Sequence, residues 1–184
     1  LYAYFFRFVT VSRDGITYSL DLKESVDRGI FLLGWEPLTI NWLKSNLKPG
    51  DTVIEVGANV GAHSLIISNL ISPNGFLYAF EPTNYAFLKL NTNFNLNPLL
   101  KNNTELVQLF VSDKDNSKSN SKIRSSWIVN KSDRLADEMD ENFQGSVVNL
   151  DDFFEGLDKL NLLKIDVDGF DYRVLQGSKK LISI

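Results

Sequence analysis

Short apolar runs alternate with amphipathic segments along most of this chain. Buried strands are predicted at residues 52–56, 76–80, 105–111 and 160–165, where apolar runs are bounded by Gly, Pro, Asn or Asp. Amphipathic helices are predicted at residues 36–47, 61–71, 84–96 and 172–181. Because strands and helices alternate, the pattern favours an α/β fold with a mostly parallel sheet and flanking helices.

The segments outside this alternation are shorter. Residues 5–22 alternate around Asp14-Gly15, which is typical of a β-hairpin, and residues 24–33 fit a short helix or a loop. A polar loop is predicted at 114–126, a short strand at 146–149 and a helix from Leu150, while 127–144 stay ambiguous. We expect one domain, 1–184, with an N-terminal hairpin extension at 1–34 and a ligand-binding core at 50–184.

Length and composition exclude several classes of protein. A chain of 184 residues with 43% hydrophobic residues can bury a core of its own. With a formal net charge of −4 and no basic stripe, we expect no nucleic-acid partner. Cysteine is absent, which excludes disulfides and thiolate metal sites, and we expect a cytoplasmic protein. The apolar start, residues 1–6, is far shorter than the ~20 residues that span a bilayer.

Acidic residues lie at the ends of four of the predicted strands. They are Glu55, Glu81, Asp113 and Asp166. Open parallel sheets bind ligands beyond the carboxyl ends of their strands, so four acids at one edge favour a ligand site. For any single acid, a helix cap or a solvated turn is an equally good interpretation.

The turn after the first buried strand narrows the choice of ligand. Gly57-Ala58-Asn59-Val60-Gly61 lacks the middle glycine of a dinucleotide fingerprint, and Glu55 beside it would repel a pyrophosphate. An acid there suits a ligand that carries an ammonium and a sulfonium, as S-adenosylmethionine does. Glu81 is placed to accept hydrogen bonds from ribose hydroxyls.

Four motifs in order resemble one enzyme family. They are Ile54-Glu-Val-Gly-Ala-Asn-Val-Gly-Ala-His-Ser64, Ala79-Phe-Glu-Pro82, Asn149-Leu-Asp-Asp-Phe153, and Leu163-Lys-Ile-Asp-Val-Asp-Gly169 continuing to Val174-Leu-Gln-Gly177. Together they are similar to the FkbM-type methyltransferases, which are class I, Rossmann-like and dependent on S-adenosylmethionine. The family usually has glutamate where Asp168 and Asp171 stand.

The resemblance implies a role for individual residues. Glu55, Gly57, Ala58, Asn59 and Gly61 would line the methionine part of the cofactor. Glu81 would hold the ribose, Asp113 would lie near the adenine, and Asp166 and Asp168 would face the transferred methyl group.

Removal of a proton from a hydroxyl acceptor calls for a base, and three residues are candidates. They are Asp166, Asp168 and His63, the single histidine. Cofactor binding is an equally good role for the two aspartates, and packing near the turn is a better one for His63. A metal bound by the two aspartates is a minority interpretation, and we predict none. Lys164, inside a buried strand, is expected to snorkel or to pair with an acid.

The predicted function is S-adenosylmethionine-dependent O-methylation of a sugar, polysaccharide or small metabolite. The alternatives are nucleobase methylation, a nicotinamide dehydrogenase, and a degenerate methyltransferase fold that serves as a non-catalytic binding module. The family fold usually has seven strands in the order 3-2-1-4-5-7-6. This chain begins without Met and ends after the helix that follows strand four, so we expect a fragment cut at both ends, which lacks the C-terminal strands of the sheet.

Overall fold

The computed structural model describes residues 7–113, 122–124, 140–142 and 146–184. The strands are β1 Phe8–Arg13, β2 Ile16–Asp21, β3 Thr52–Val56, β4 Phe76–Phe80, β5 Thr104–Val107, β6 Phe110–Val111, β7 Lys122–Arg124, β8 Asp140–Asn142, β9 Val147–Val148 and β10 Leu162–Ile165. The helices are α1 Ser25–Leu32, α2 Pro37–Asn46, α3 Ser64–Ile71, α4 Asn84–Asn95, α5 Pro98–Lys101, α6 Leu150–Phe153 and α7 Asp171–Gln176, followed by a 3₁₀ turn at Leu181–Ser183.

The central sheet has four parallel strands in the order β10-β3-β4-β5. This arrangement confirms the predicted α/β fold and reproduces the first four positions of the expected strand order. The chain runs outward from β3 through β4 to β5 and returns to the other side of β3 as β10. The carboxyl ends of β3 and β10 therefore flank the point where strand order reverses, which is where such sheets bind ligands.

Alternation along β3 and β4 divides the core between the two faces of the sheet. Val53 and Leu77 face one way and pack with α3, α4 and the buried side of β2. Ile54 and Phe80 face the other way and pack with α6 and α7 through Leu150 and Val174. Because successive side chains of a strand point to opposite faces, a run of apolar residues fills both layers.

The N-terminal hairpin is present as predicted. β1 and β2 pair antiparallel from Phe8↔Asp21 to Arg13↔Ile16. Asp14 and Gly15 between them both have positive φ, 51° and 79°, as a two-residue type I′ turn requires.

Side chains from α1, from α4 and from Asn97, just before α5, replace a neighbouring strand along the outer edge of β2. Asn97 Oδ1 accepts from the Thr17 N–H at 2.9 Å and Asn93 Oδ1 from the Ser19 N–H at 2.8 Å. In α1, Asp27 Oδ2 accepts from the Asp21 N–H at 2.6 Å and also pairs with Lys89 of α4. Alternate N–H groups of the strand are thus satisfied, which fixes the hairpin on α1 and α4.

The predicted strand 105–111 is wrong as one unit. β5 ends at Val107, and β6 pairs with β9 in a separate parallel pair. The cause is the length of β4: its last residue, Phe80, pairs with Val107, so no neighbour continues beyond that point.

Three further predictions need correction. Helix 61–71 begins only at Ser64. The amphipathic helix predicted at 36–47 buries only Leu43, and its apolar residues Leu38 and Trp42 are exposed. The predicted loop 114–126 contains β7, which pairs with β8. Residues 114–121 and 125–139, which include Trp127, lie outside the described residues.

We predict that Asn93→Ala lowers the free energy of unfolding by about 2 kcal/mol, because it leaves the Ser19 N–H and the Val60 carbonyl without their partner. Urea denaturation measures the change. Asn95→Ala, at an exposed position of the same helix, should change it by less than about 0.5 kcal/mol. Equal effects of the two substitutions would show that the side-chain edge does not stabilise the fold.

Candidate functional site

A cavity of about 300 Å³ opens at the carboxyl ends of β3 and β10. Seven of the predicted site residues line it, namely Glu55, Gly57, Ala58, Asn59, His63, Asp166 and Asp168. The predicted residues Gly61, Glu81 and Asp113 are not part of its lining. The volume is within the range of small-molecule sites.

Glu55 is a buried charge that three elements share. Its side chain is 1% exposed, and Lys164 of β10 is its register partner across the sheet. Lys164 Nζ lies 3.1 Å from Glu55 Oε1, and the Ser64 hydroxyl at the start of α3 donates to Oε2. Both carboxylate oxygens therefore have a partner, which a buried charge requires.

Lys164 lines the cavity as well, and no site role was predicted for it. Its Nζ also lies 3.6 Å from Asp166 Oδ2. Burial alone would lower its pKa, but the attraction of Glu55, Asp166 and Glu36 outweighs burial and raises the pKa, so the side chain is an ammonium. Of the two predicted alternatives, pairing with an acid is confirmed. The feature of the sequence that could have indicated a site role for Lys164 is a lysine inside an apolar strand.

The turn after β3 brings the backbone of β10 close. Gly57 has φ +91°, and a Cβ built there would lie 2.0 Å from the carbonyl oxygen of Asp166. Only glycine meets both conditions without displacing the end of β10.

Successive N–H groups of this turn all have partners within the protein. Those of Gly57 and Ala58 donate to the Phe80 carbonyl at 3.0 and 2.9 Å. Those of Asn59, Val60 and Gly61 donate to Glu81 Oε2, Asn59 Oδ1 and the Ala58 carbonyl. A pyrophosphate site needs such N–H groups to point at the ligand, so this turn disfavours a dinucleotide.

Glu81, at the end of β4, organises the neighbouring loop. Besides the Asn59 N–H at 3.0 Å, it accepts from the Thr83 N–H at 2.9 Å and the Thr83 hydroxyl at 2.6 Å. Ribose binding by Glu81 stays a prediction, and it would have to coexist with these hydrogen bonds.

His63 immediately precedes α3 and is 4% exposed. Its Nε2 has no hydrogen-bond partner in the described part of the chain, and the nearest acid oxygen, Glu36 Oε2, is 3.8 Å away. Burial first, and Lys164 second, lower the pKa of the imidazole. The ring is therefore neutral at pH 7 and can accept a proton.

Asp166 and Asp168 line the same cavity by different routes. Asp166 follows β10 and remains 57% exposed, whereas Asp168 lies in a turn with φ +45°. Alternate residues of an extended chain share a face, but the backbone has left the extended conformation at Asp168, so the two side chains do not reach the cavity by alternation.

Asp113 and Gly61 have positions that the sequence pattern did not indicate. Asp113 follows β6, outside the central sheet, and accepts from the Ser112 hydroxyl at 2.9 Å. Gly61, with φ +89°, packs toward Leu90 of α4. Their predicted roles in cofactor binding stay predictions.

The segment before β3 supplies lining residues that sequence reasoning missed. They are Ser25, Val26, Trp35 and Glu36. Gly29 makes room for the Trp35 ring, since a Cβ there would lie 2.7 Å from its Cε3. No local motif signals these residues, because docking of the hairpin and α1 brings them to the sheet. Across the described ranges, His, Asp and Glu side chains form no group suited to a metal ion.

A sequence model of one protein family, described as the methyltransferase FkbM domain, matches residues 55–184. This is well over half of the chain. The chain belongs to the FkbM methyltransferase family. The resemblance inferred from the four motifs is thereby confirmed. A comparison with curated proteins gives no match.

Solved methyltransferase structures resemble this FkbM chain at low identity. M. jannaschii TYW2 in complex with AdoMet is 18% identical with a TM-score of 0.42, over 55% of this chain and 42% of its own. An S-adenosylmethionine-dependent methyltransferase from Agrobacterium tumefaciens is 13% identical with a TM-score of 0.43, over 56% and 32%. The complex of aTrm5 with tRNALeu is 15% identical with a TM-score of 0.43, over 72% and 34%. The chain spans about half or less of the length of the structures that it matches.

The prediction that excludes nucleic acid as a partner is wrong. The finding against it is the aTrm5 structure, a methyltransferase in complex with tRNALeu. The net charge of a whole chain does not report the surface beside its site, so −4 does not exclude an RNA acceptor for an FkbM protein. Among the described residues, no helix has the length and apolar character needed to cross a membrane.

We predict that Gly57→Ala destabilises the fold by about 3 kcal/mol or more, through positive φ and the clash with β10. Gly156→Ala is the matched control, because Gly156 has φ +86° and open space around the added Cβ. Its cost should be about 1–2 kcal/mol, the backbone contribution alone. Equal losses in thermal or urea unfolding would contradict the close approach of β10.

We predict that the imidazole of His63 titrates below its ordinary pKa of 6.5, as its burial requires. NMR can follow this signal without ambiguity, since the chain has one histidine. Below about pH 6.5 the imidazole of the unfolded chain takes up a proton more readily than that of the folded chain. The free energy of unfolding therefore decreases as the pH is lowered through this range. His63→Gln should lack this component, and a titration at or above 6.5 would contradict the burial.

Proposed function

We propose that this chain is an S-adenosylmethionine-dependent methyltransferase that methylates a hydroxyl group of a sugar, polysaccharide or small metabolite. Family membership supports the methyltransferase activity. The observation that supports a hydroxyl acceptor is one cavity that holds all three candidate bases, His63, Asp166 and Asp168.

The charges of the cavity fit this cofactor. Its charged lining comprises the carboxylates of Glu36, Glu55, Asp166 and Asp168 and the ammonium of Lys164. A surplus of negative charge attracts a ligand with a net positive charge and opposes a pyrophosphate. Glu55, Asn59 and the turn at Gly57 would hold the methionine part, and Glu81 the ribose.

S-adenosylmethionine supplies a methyl group already activated for in-line displacement. The protein then has to position the acceptor oxygen and remove its proton. We assign proton removal to His63, whose neutral Nε2 has no hydrogen-bond partner among the described residues. Asp166 and Asp168 orient the acceptor from the same cavity.

The acceptor would enter between the sheet edge and the N-terminal segment. Trp35 and Glu36 form that part of the wall, and Trp35 also lines a second cavity of about 190 Å³ beneath the hairpin. An aromatic ring beside a carboxylate suits the apolar face and the hydroxyl groups of a sugar.

We predict that S-adenosylhomocysteine binds with a Kd on the order of 1 μM in calorimetry, and that NADH does not bind. Methyl transfer is then measured with labelled S-adenosylmethionine against oligosaccharides, small hydroxy compounds and tRNA. His63→Gln should lower kcat about 100-fold or more while the Kd of S-adenosylhomocysteine changes less than about threefold. The pKa that governs kcat should lie below 6.5, as for the imidazole.

The position of the label separates the alternatives. Label in an ether supports O-methylation, whereas label on a nucleobase carbon or nitrogen establishes RNA base methylation instead. Binding of S-adenosylhomocysteine without turnover on any acceptor would favour the non-catalytic binding module. Binding of NADH in its place would overturn the cofactor assignment.

A further inference from the structure

Glu55 and Lys164 form an ion pair in the wall of the cavity. Their side chains are 1% and 12% exposed, and Nζ lies 3.1 Å from Oε1. Both residues line the cavity, on adjacent strands and in register. A ligand that enters there meets a negative and a positive group side by side.

A buried ion pair restricts which ligands can open it. A charge that loses its partner in a poorly solvated place costs several kcal/mol, so each group that leaves the pair needs a replacement of the same sign. A ligand with only an ammonium satisfies Glu55 but displaces Lys164. A ligand with an ammonium and a carboxylate on one carbon replaces both partners at once.

The surroundings favour the exchange. The second oxygen of Glu55 stays anchored by the Ser64 hydroxyl, so the carboxylate keeps its place when Lys164 moves. Lys164 Nζ is already 3.6 Å from Asp166, which is 57% exposed and marks the direction in which the ammonium can swing. The attraction of Glu55 and Asp166 raises the pKa of Lys164, so the side chain is an ammonium before a ligand enters.

We infer that Lys164 binds the carboxylate at the amino-acid end of the cofactor, next to Glu55, which the proposed function already places at the methionine part. The inference rests on the proposed function and goes beyond it, because it makes Lys164 the residue that selects against ligands without a carboxylate. Loss of one charge-assisted hydrogen bond corresponds to about tenfold to hundredfold in affinity.

Three adenosine thioethers test this by calorimetry. S-adenosylhomocysteine carries both charged groups, its decarboxylated analogue carries only the ammonium, and 5′-methylthioadenosine carries neither. The wild-type protein should bind the first about tenfold to hundredfold more tightly than the second. In Lys164→Met the two affinities should come within about threefold of each other, and Lys164→Arg should restore part of the preference.

Lys179→Met is the matched control, because it removes the same charge at an exposed position. It should leave the preference unchanged. Equal binding of the first two ligands by the wild type would overturn the inference and leave the proposed function standing, without reference to any variant. An equal loss for both ligands in Lys164→Met would also overturn it, since it would show that Lys164 only supports the fold. If none of the three ligands binds the folded wild type, the proposed function fails and the inference with it.

Discussion

The carboxylate of Glu55 is buried, and an unpaired charge at such a position would destabilise the fold strongly. The arrangement of the surrounding elements provides the partners that this charge requires. Satisfying it takes a hydroxyl from the start of α3 and an ammonium from β10. Those two partners lie at the start of α3 and in β10, where Lys164 is the register partner of Glu55. The register in turn places the Asp166 carbonyl against Gly57, so the glycine turn and the edge of the ligand cavity follow from one buried charge.

Most strands of the sheet were predictable from local sequence patterns. Apolar runs of strand length and the Asp14-Gly15 turn were enough to predict β3, β4, β10 and the hairpin. Burial on both faces of a sheet and a turn with positive φ each require particular residue types within a short segment, so both can be recognised locally. The acid and glycine positions around β3 were predictable for the same reason. Lys164 was recognisable as a charged residue in an apolar strand. Its partner Glu55 could not be identified from the local sequence, because it is 109 residues away along the chain.

Features that depend on tertiary contacts were not predictable. The break after β5 reflects where β4 ends, which no residue of 105–111 records. Trp35 and Glu36 join the site only because the hairpin, α1 and α2 dock against the sheet. The apolar residues Leu38 and Trp42 of α2 are exposed, although an amphipathic pattern ordinarily indicates an apolar face that is buried. The net charge of the chain was a poor basis for excluding a nucleic-acid partner, because it averages over surfaces far from the ligand site.

The side-chain edge along β2 also bears on how these molecules behave in a crowded solution. An unpaired strand edge is a template on which another chain can add a strand, and growth of such contacts leads to aggregates. Asn93, Asn97 and Asp27 occupy the donors that an incoming strand would use. Amide and carboxylate side chains cannot extend the ladder further, so another copy cannot add a strand along the β2 edge of the hairpin.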